Sequence, residues 1–320
     1  MNTKTVPSPR RGYLYIACAT FLWGVSATLG RAAFTGRLLP GQFLHPVDPL
    51  ILSQTRTTFS FVTLLAILLA SRDRETMRIS WGDFGRLSLL GILGVAPSNY
   101  FYYLAIQRTN VATAIVVQYT APVWVLLYAI MRGQQKPTPQ RIGAVALAVM
   151  GIALVIQIFS RGQLKLDKIG LCAALLAALS FAFYNVGGHG ILARHSRWTV
   201  LLYTTLSASL FWILVNPPAK VLSANYSGAQ WLFLFVFSLL SVLGPFSFYF
   251  AGLQHLEPTR AIVVSCLEPV FSIVIAAIVL GETLRAVQTI GIIMVLVAIV
   301  VVQSPGRQSN APVQALELIE

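Results

Sequence analysis

One acidic residue lies where an ionised side chain is costly. Glu268 is ten residues into the apolar run Pro258 to Leu280, about 15 Å along a helix that rises 1.5 Å per residue, and no other acid lies so deep. A charge at mid-membrane costs at least about 2.5 to 3.5 kcal/mol, so Glu268 is expected to face the interior of a helix bundle. Three roles stay open: it binds a solute ammonium, it carries a coupling proton, or it fixes the chain beside Pro269 through Arg56 or backbone amides.

Two prolines lie at equivalent positions of a duplicated block. The segment Tyr102 to Val123 matches Tyr249 to Val270 at 8 of 22 positions, and Pro122 and Pro269 are among the identities. A proline removes a backbone donor and leaves a carbonyl one turn earlier without its helical partner. Paired breaks in two halves of a membrane chain indicate a binding site near the middle of the bilayer. Ordinary proline kinks are the alternative.

Further polar and aromatic residues lie at similar depth. Ser265, Glu268 and Ser272 follow the spacing of one helical face. In the first copy Gln118 corresponds to Ser265 and Ala121 to Glu268, so only the second copy supplies a charge. Each remaining candidate alone is more often packing than a ligand contact, but together they predict an aromatic, weakly polar cavity. These candidates are Trp23, Ser26, Asn99, Tyr103, Tyr184, Asn185 and Tyr249.

The elements that position these residues are long apolar runs. Of the 320 residues, 56% are hydrophobic and 10% charged, whereas soluble domains average about 25% charged. A spanning helix needs roughly 20 mostly apolar residues. Ten runs meet this requirement: Gly12 to Phe34, Pro49 to Ala70, Phe84 to Gln107, Val111 to Met131, Pro139 to Phe159, Lys168 to Ile191, Trp198 to Asn216, Ala229 to Leu253, Pro258 to Leu280 and Leu284 to Gln303.

Five runs fall in each half of the chain. The sequence therefore predicts an all-α integral membrane protein of ten transmembrane helices, with a first five-helix repeat at 12–160 and a second at 168–303. An odd number of spans per repeat makes the second repeat enter the membrane from the opposite side, so the repeats are inverted. Residues 1–11 and 304–320 are then tails on one side of the membrane.

The basic residues set the expected orientation. With the N-terminus in the cytoplasm, cytoplasmic segments carry 14 Lys and Arg and the opposite loops carry 8, which favours a plasma-membrane protein with both termini cytoplasmic. The loop with Arg161, Lys165 and Lys168 opposes this assignment. The net charge of +13 is spread over short loops and forms no basic face, so no nucleic-acid partner is expected.

The residue types argue against catalysis. An enzyme needs a nucleophile with a base or a metal cluster, and the four histidines show no ligand spacing. The three cysteines lie within apolar runs and do not form a disulfide framework. No catalytic residue, metal or cofactor is therefore expected. A receptor or scaffold without transport activity is harder to exclude, and solute flux separates it from a transporter.

Short motifs recur in order along Gly12 to Gln303. They are Leu22-Trp23-Gly24, Arg56, Tyr103-Leu104-Ala105-Ile106, Ala121-Pro122-Val123, Gly244, Tyr249, Leu267-Glu268-Pro269-Val270, Gly281-Glu282, Gln288 and Gly291. In this order and in two copies they resemble the EamA-type transporters of the drug/metabolite transporter superfamily, which have ten spans in two five-helix units. Gln134, where the acid of Gly-Glu is usual, and Phe181-Ala182, in place of Trp-Gly, depart from the pattern.

The resemblance implies secondary transport of a small organic metabolite and names none. Export of an amino acid or related amphipathic compound is the leading expectation, with proton coupling if Glu268 titrates. Uptake of a small nutrient is the alternative within transport. Exchange of dianionic nucleotide-sugars would need deep basic residues, and only Arg56 qualifies.

Overall fold

The computed structural model describes residues 8–34, 45–71, 76–109, 111–158, 167–280 and 285–303. Within these ranges the chain is helical and contains no β-strand. Five helical stretches are long and apolar enough to cross a membrane: Pro49–Ala70, Ala114–Met131, Lys168–Leu192, Arg197–Val215 and Gly228–Leu253. The protein is therefore an all-helical membrane protein that crosses the bilayer several times.

The helices are labelled in chain order. The first half contains α1 (Pro9–Phe34), α2 (Pro49–Ala70), α3 (Trp81–Leu89), α4 (Ala96–Arg108), α5 (Val111–Gln118), α6 (Ala121–Met131) and α7 (Pro139–Val155). The second half contains α8 (Lys168–Leu192), α9 (Arg197–Val215), α10 (Pro218–Leu222), α11 (Gly228–Ser238), α12 (Gly244–Leu253), α13 (Pro258–Ser265), α14 (Leu267–Leu280) and α15 (Ala286–Gln303). A π-helical turn joins α3 to α4 at Leu90–Val95, and another joins α11 to α12 at Leu239–Leu243.

Helix starts follow from capping residues in the connecting segments. A side-chain oxygen that accepts a hydrogen bond from a first-turn N–H satisfies a donor that the helix itself cannot pair. Ser227 and Gln230 at the start of α11 form a reciprocal capping box. The residues that cap in this way are Asp48, Ser80, Thr138, Asp167, Ser196 and Ser227. These caps keep the helix starts within a few residues of the predicted ones.

Each predicted run contains at least one helix. The observed helices differ from the predicted runs in four respects. The first helix begins at Pro9, before the predicted start at Gly12. The third and eighth runs contain the π-helical turns, and the fourth and ninth runs are each divided into two helices. The short helix α10 lies in a segment expected to be a loop. Glu282 of the expected Gly-Glu motif lies outside the described residues.

Contacts between the two halves are reciprocal. Helix α1 packs against α12 and α14, and α8, which has the same rank in the second half, packs against α4 and α6. Helix α2 contacts α11, and α9 contacts α3. Helices α7 and α15 pair with each other. Each half therefore buries its first two helices against the other half, and the buried apolar side chains of both halves form a shared core.

The pairing of α7 with α15 depends on two glycines. A Cβ atom added to Gly151 would lie 2.9 Å from the carbonyl oxygen of Gly291, and one added to Gly291 would lie 2.6 Å from that of Gly151. Both distances are shorter than a carbon–oxygen contact tolerates, so only glycine allows this approach of the two backbones. Gly143, also in α7, has no atom within 4 Å of such a Cβ.

We expect Gly151→Ala to destabilise the protein by about 1 to 3 kcal/mol because the added methyl group overpacks the α7–α15 contact. Gly143→Ala is the matched control, since alanine is the better helix former and meets open space there. Thermal unfolding in detergent should show a lower melting temperature for Gly151→Ala and an unchanged or higher one for Gly143→Ala. Equal melting temperatures would contradict the close approach.

Candidate functional site

Both helices that contain the paired prolines are interrupted at equivalent positions. Helix α5 ends at Gln118, four residues before Pro122, and α13 ends at Ser265, four residues before Pro269. A proline has no N–H to donate to the carbonyl four residues earlier, so a regular helix cannot continue there. At Cys266 the backbone N–H bonds instead to the carbonyl three residues earlier, at 3.2 Å. The result is a tight turn inside each helix.

A cavity with a volume of ≈ 120 Å³ lies between the two turns. Side chains from both halves line it, so it is formed at the seam between them. Of the residues predicted for the site, those that line the cavity are Trp23, Ser26, Asn99, Tyr103, Gln118, Pro122, Ser265 and Glu268, whereas Tyr249 and Pro269 are not among the lining residues. The volume exceeds what a single water molecule needs and suits a small organic solute.

Glu268 reaches the cavity from the first turn of α14 and is partly accessible from it. Its Oε2 accepts a hydrogen bond of 2.7 Å from the hydroxyl of Tyr119. Tyr119 belongs to the turn between α5 and α6, so this bond connects the interrupted helix of one half with that of the other. Tyr119 was not among the residues predicted for the site, although it follows the predicted residue Gln118 directly in the chain.

Arg56 is the basic residue of the cavity. Its side chain is on α2 and only 6% exposed. Nη1 donates to the hydroxyl of Tyr103 at 2.6 Å, and Nη2 donates to the carbonyl of Ser241 at 2.8 Å. Among the described residues, Nε is buried without a hydrogen-bond partner. The guanidinium therefore keeps donor capacity towards the cavity.

A third proline leaves a backbone carbonyl that Arg56 binds. Ser241 belongs to the second π-helical turn and lies four residues before Pro245, which has no N–H to donate to the Ser241 carbonyl. Arg56 bonds to that carbonyl, and the indole N–H of Trp23 also donates to it at 3.2 Å. A backbone defect of the second half is thus satisfied by side chains of the first half.

The two charges of the cavity are not paired with each other. Among the described residues, the ion pairs are Arg86–Asp83, Arg194–Asp83, His195–Asp83 and Arg141–Glu257. Glu268 accepts a hydrogen bond from Tyr119 and makes no direct ion pair with Arg56, and the alternative that it fixes the chain beside Pro269 through Arg56 or backbone amides stays a prediction. The cavity thus presents one carboxyl group and one guanidinium group, each hydrogen-bonded to neutral groups.

An aromatic layer borders the cavity on one side. Trp23 and Phe246 line the cavity, with ring centroids 5.1 Å apart, and the Trp23 ring lies 5.4 Å from Tyr249. Tyr184 and Asn185, both predicted for the site, lie behind this layer and are not among the lining residues. The Tyr184 ring packs 5.5 Å from Phe246, and the Asn185 amide donates to the Tyr249 hydroxyl.

Polar contacts away from the cavity also link the halves. Asp83 at the start of α3 accepts a hydrogen bond of 2.9 Å from His195 in the turn before α9. This bond, with a smaller contribution from the charge of Arg194, holds the pKa of Asp83 below its usual range. Arg141 at the start of α7 lies 3.4 Å from Glu257, which precedes α13. Both pairs join a helix end of one half to one of the other.

An all-helical membrane protein that encloses a polar cavity between interrupted helices has the fold and the site of a membrane transport protein. The comparison with known families agrees. A model of the EamA-like transporter family matches residues 10–157 and again residues 168–304. These matches cover most of the 320 residues, and the chain belongs to the EamA-like transporter family. The resemblance seen in the sequence motifs is thereby confirmed.

Individual relatives agree with the family. The chain is 22% identical over 304 residues to the uncharacterized inner membrane transporter YicL of Salmonella typhimurium, covering 94% of this chain and 98% of the relative. It is 28% identical over 220 residues to the threonine/homoserine exporter RhtA of Escherichia coli, covering 67% and 70%. A crystal structure at 20% identity superposes with a TM-score of 0.73 over 92% of this chain and 97% of its own, which shows the same fold.

We expect Gln118→Trp to abolish solute flux through the protein because the indole fills a cavity of ≈ 120 Å³. Val123→Trp is the matched control: it lies five residues further along, and its side chain is exposed on an apolar groove outside the cavity. Both variants should remain monodisperse in detergent. Flux measured in proteoliposomes should be lost in the first and retained in the second. Retained flux in Gln118→Trp would place the solute path elsewhere.

Proposed function

We propose that the protein is a secondary transporter that exports a small zwitterionic metabolite, an amino acid or a related amphipathic compound, by alternating access. The observation that carries the proposal is that one small cavity is lined by a basic and an acidic side chain, Arg56 and Glu268, which make no direct ion pair with each other. A charged group in such a place is expensive unless a partner compensates it. A solute with both charges supplies both partners.

The two charged residues suit the two ends of an amino acid. The planar guanidinium of Arg56 matches a carboxylate, and its Nε–H is a buried donor without a partner among the described residues. Glu268 has two acceptor oxygens, which suit the three N–H donors of an ammonium group. Neutral polar side chains of the same cavity lining, such as Gln118 and Asn99, can bind a polar substituent of the solute.

The outward direction is supported by the relatives named as threonine/homoserine exporters, at 27% identity in Salmonella typhimurium and 28% in Escherichia coli. Those names describe those proteins, and for this chain export is the favoured direction. Uptake of a small nutrient uses the same cavity in reverse and is the second candidate. A receptor or scaffold function is the third, and the flux experiment below decides among them.

The proposed architecture is ten transmembrane helices in two inverted five-helix repeats, 12–160 and 168–303, with residues 1–11 and 304–320 as cytoplasmic tails. Three observations support it. The family model matches the chain twice, at 10–157 and 168–304. The contacts of α1 and α2 with the second half mirror those of α8 and α9 with the first. The excess of Lys and Arg on one set of loops favours cytoplasmic termini.

Cysteine labelling tests the inverted architecture. In a background without Cys18, Cys172 and Cys266, a cysteine at Gln134 should react with a membrane-impermeant reagent only from the cytoplasmic side. A cysteine at Thr283, which sequence alone places in the corresponding loop of the second repeat, should react only from the opposite side. Reaction of both from one side would contradict the inverted repeats, because equivalent loops of inverted repeats face opposite compartments.

Transport specificity tests the function. In proteoliposomes the wild type should carry an aliphatic α-amino acid at least tenfold better than the matching amine without a carboxyl group or the matching acid without an amino group. Glu268→Gln should lose the preference for the amino group, and Arg56→Gln the preference for the carboxylate. Each charge-assisted hydrogen bond is worth about 1.5 to 3 kcal/mol, which makes these losses about tenfold or more.

Two variants serve as controls for the specificity test. Glu257→Gln removes an acid that lies outside the cavity and should leave the solute preference unchanged. Arg56→Lys keeps the charge, so a reduced but not inverted preference for the carboxylate is expected if the planar donor group matters. A wild-type protein that carries no zwitterion under any gradient, or a Glu268→Gln variant with unaltered solute range, would overturn the proposal.

A further inference from the structure

We propose that the hydroxyl of Tyr119 takes the place of the solute's ammonium group on Glu268 while the cavity is empty, and that the solute displaces it. Tyr119 is thus a specificity-determining and positioning residue of the transport cycle. The inference rests on the proposed function, because it concerns the same carboxylate and the same class of solute.

The geometry of the contact carries this inference. The Tyr119 hydroxyl donates to Glu268 Oε2 at 2.7 Å, so a group of the protein itself occupies one of the four acceptor positions of the carboxylate. Tyr119 is buried, whereas Glu268 remains partly accessible from the cavity. An incoming ammonium group with three donors competes for the same oxygen atoms. An ammonium group that takes this position replaces a hydrogen bond that the protein already makes.

The chain position of Tyr119 shows that the contact occurs once. In the duplicated block Tyr119 corresponds to Cys266, and Ala121 corresponds to Glu268. The Cys266 thiol donates to the carbonyl of Ile262 at 3.6 Å, one turn earlier in its own helix. The equivalent turn of the second half thus makes a local contact, whereas the turn of the first half reaches across the seam. Of the two equivalent turns, the one with Tyr119 makes the hydrogen bond across the seam.

This contact has a consequence for the transport cycle. Tyr119 lies between α5 and α6, and Glu268 lies at the start of α14, so their hydrogen bond ties the two interrupted helices together. Alternating access requires the two halves to move relative to each other. Without solute, the intact bond is therefore expected to slow the conversion between the inward-open and outward-open arrangements. With solute bound in its place, the bond no longer opposes this conversion, which is expected to be faster. Exchange of solute should exceed net efflux in the wild type.

The Tyr119→Phe variant separates this role from others because it removes only the hydroxyl. The half-saturating concentration of an α-amino acid should fall about tenfold, which corresponds to about 1.4 kcal/mol. The ratio of exchange to net efflux should fall towards one. If Tyr119 were a direct ligand of the solute, the half-saturating concentration would rise instead. Tyr128→Phe, which removes a hydroxyl from an exposed tyrosine of α6 outside the cavity lining, should change neither quantity.

A labelling experiment tests the same inference without a known solute. A cysteine at Gln118, in a background without the native cysteines, lines the cavity and reports which reagents approach it. The labelling ratio is the rate with an ammonium-bearing thiosulfonate divided by the rate with a neutral thiosulfonate of equal size. We expect this ratio to be several-fold higher in Tyr119→Phe than in the protein that retains Tyr119. Adding Glu268→Gln should remove this difference, because the attraction acts through the carboxylate. Tyr119→Met replaces Tyr119→Phe if the latter is not monodisperse.

The outcomes distinguish the two proposals. A wild type that transports no zwitterion overturns the proposed function, and the labelling ratio still decides the role of Tyr119. A wild type that transports an amino acid, with an unchanged or raised half-saturating concentration in Tyr119→Phe and an unchanged labelling ratio, overturns the inference about Tyr119 alone.

Discussion

The structure depends on the rule that a backbone carbonyl inside a bilayer needs a hydrogen-bond donor. Prolines break this rule locally because they have no N–H. Pro122 and Pro269 end α5 and α13, and Pro245 denies a donor to the carbonyl of Ser241. Arg56 and Trp23 from the first half donate to that carbonyl. The same defects that interrupt the helices thereby place a cationic side chain and an aromatic ring on the cavity.

Duplication supplies the shape of the cavity, and divergence supplies its chemistry. Both halves interrupt the same helix at the same point, yet Ala121 stands where the second half has Glu268. Glu268 in turn is reached by Tyr119, where the second half has Cys266. A symmetric pair of acids would repel across a small space in low dielectric. One acid facing one arginine gives a dipolar cavity instead.

Much of the fold could be predicted from the sequence, because long apolar runs and prolines have direct physical consequences for a chain in a membrane. The π-helical turns could not, since a one-residue change of helical period leaves no composition signal. Tyr184 and Asn185 were predicted for the site but lie behind the aromatic layer, because spacing along a helix does not show which neighbour a side chain faces. Tyr119 was not predicted for the site because a tyrosine in an apolar run is usually a packing residue, and its hydrogen-bond partner Glu268 is 149 residues away in the chain.

The contacts that join the halves differ in how strongly they resist movement. The ion pair of Arg141 with Glu257 is partly exposed, and exposed pairs contribute at most about 1 kcal/mol. The bond between Tyr119 and Glu268 lies inside the protein, where hydrogen bonds to charged groups contribute more. A protein that alternates between two arrangements needs them to differ by only a few kcal/mol. The proposed replacement of the Tyr119–Glu268 bond by the solute would remove one buried contact between the halves, whereas the bond from Arg56 to the Ser241 carbonyl is a second one that the solute does not need to break.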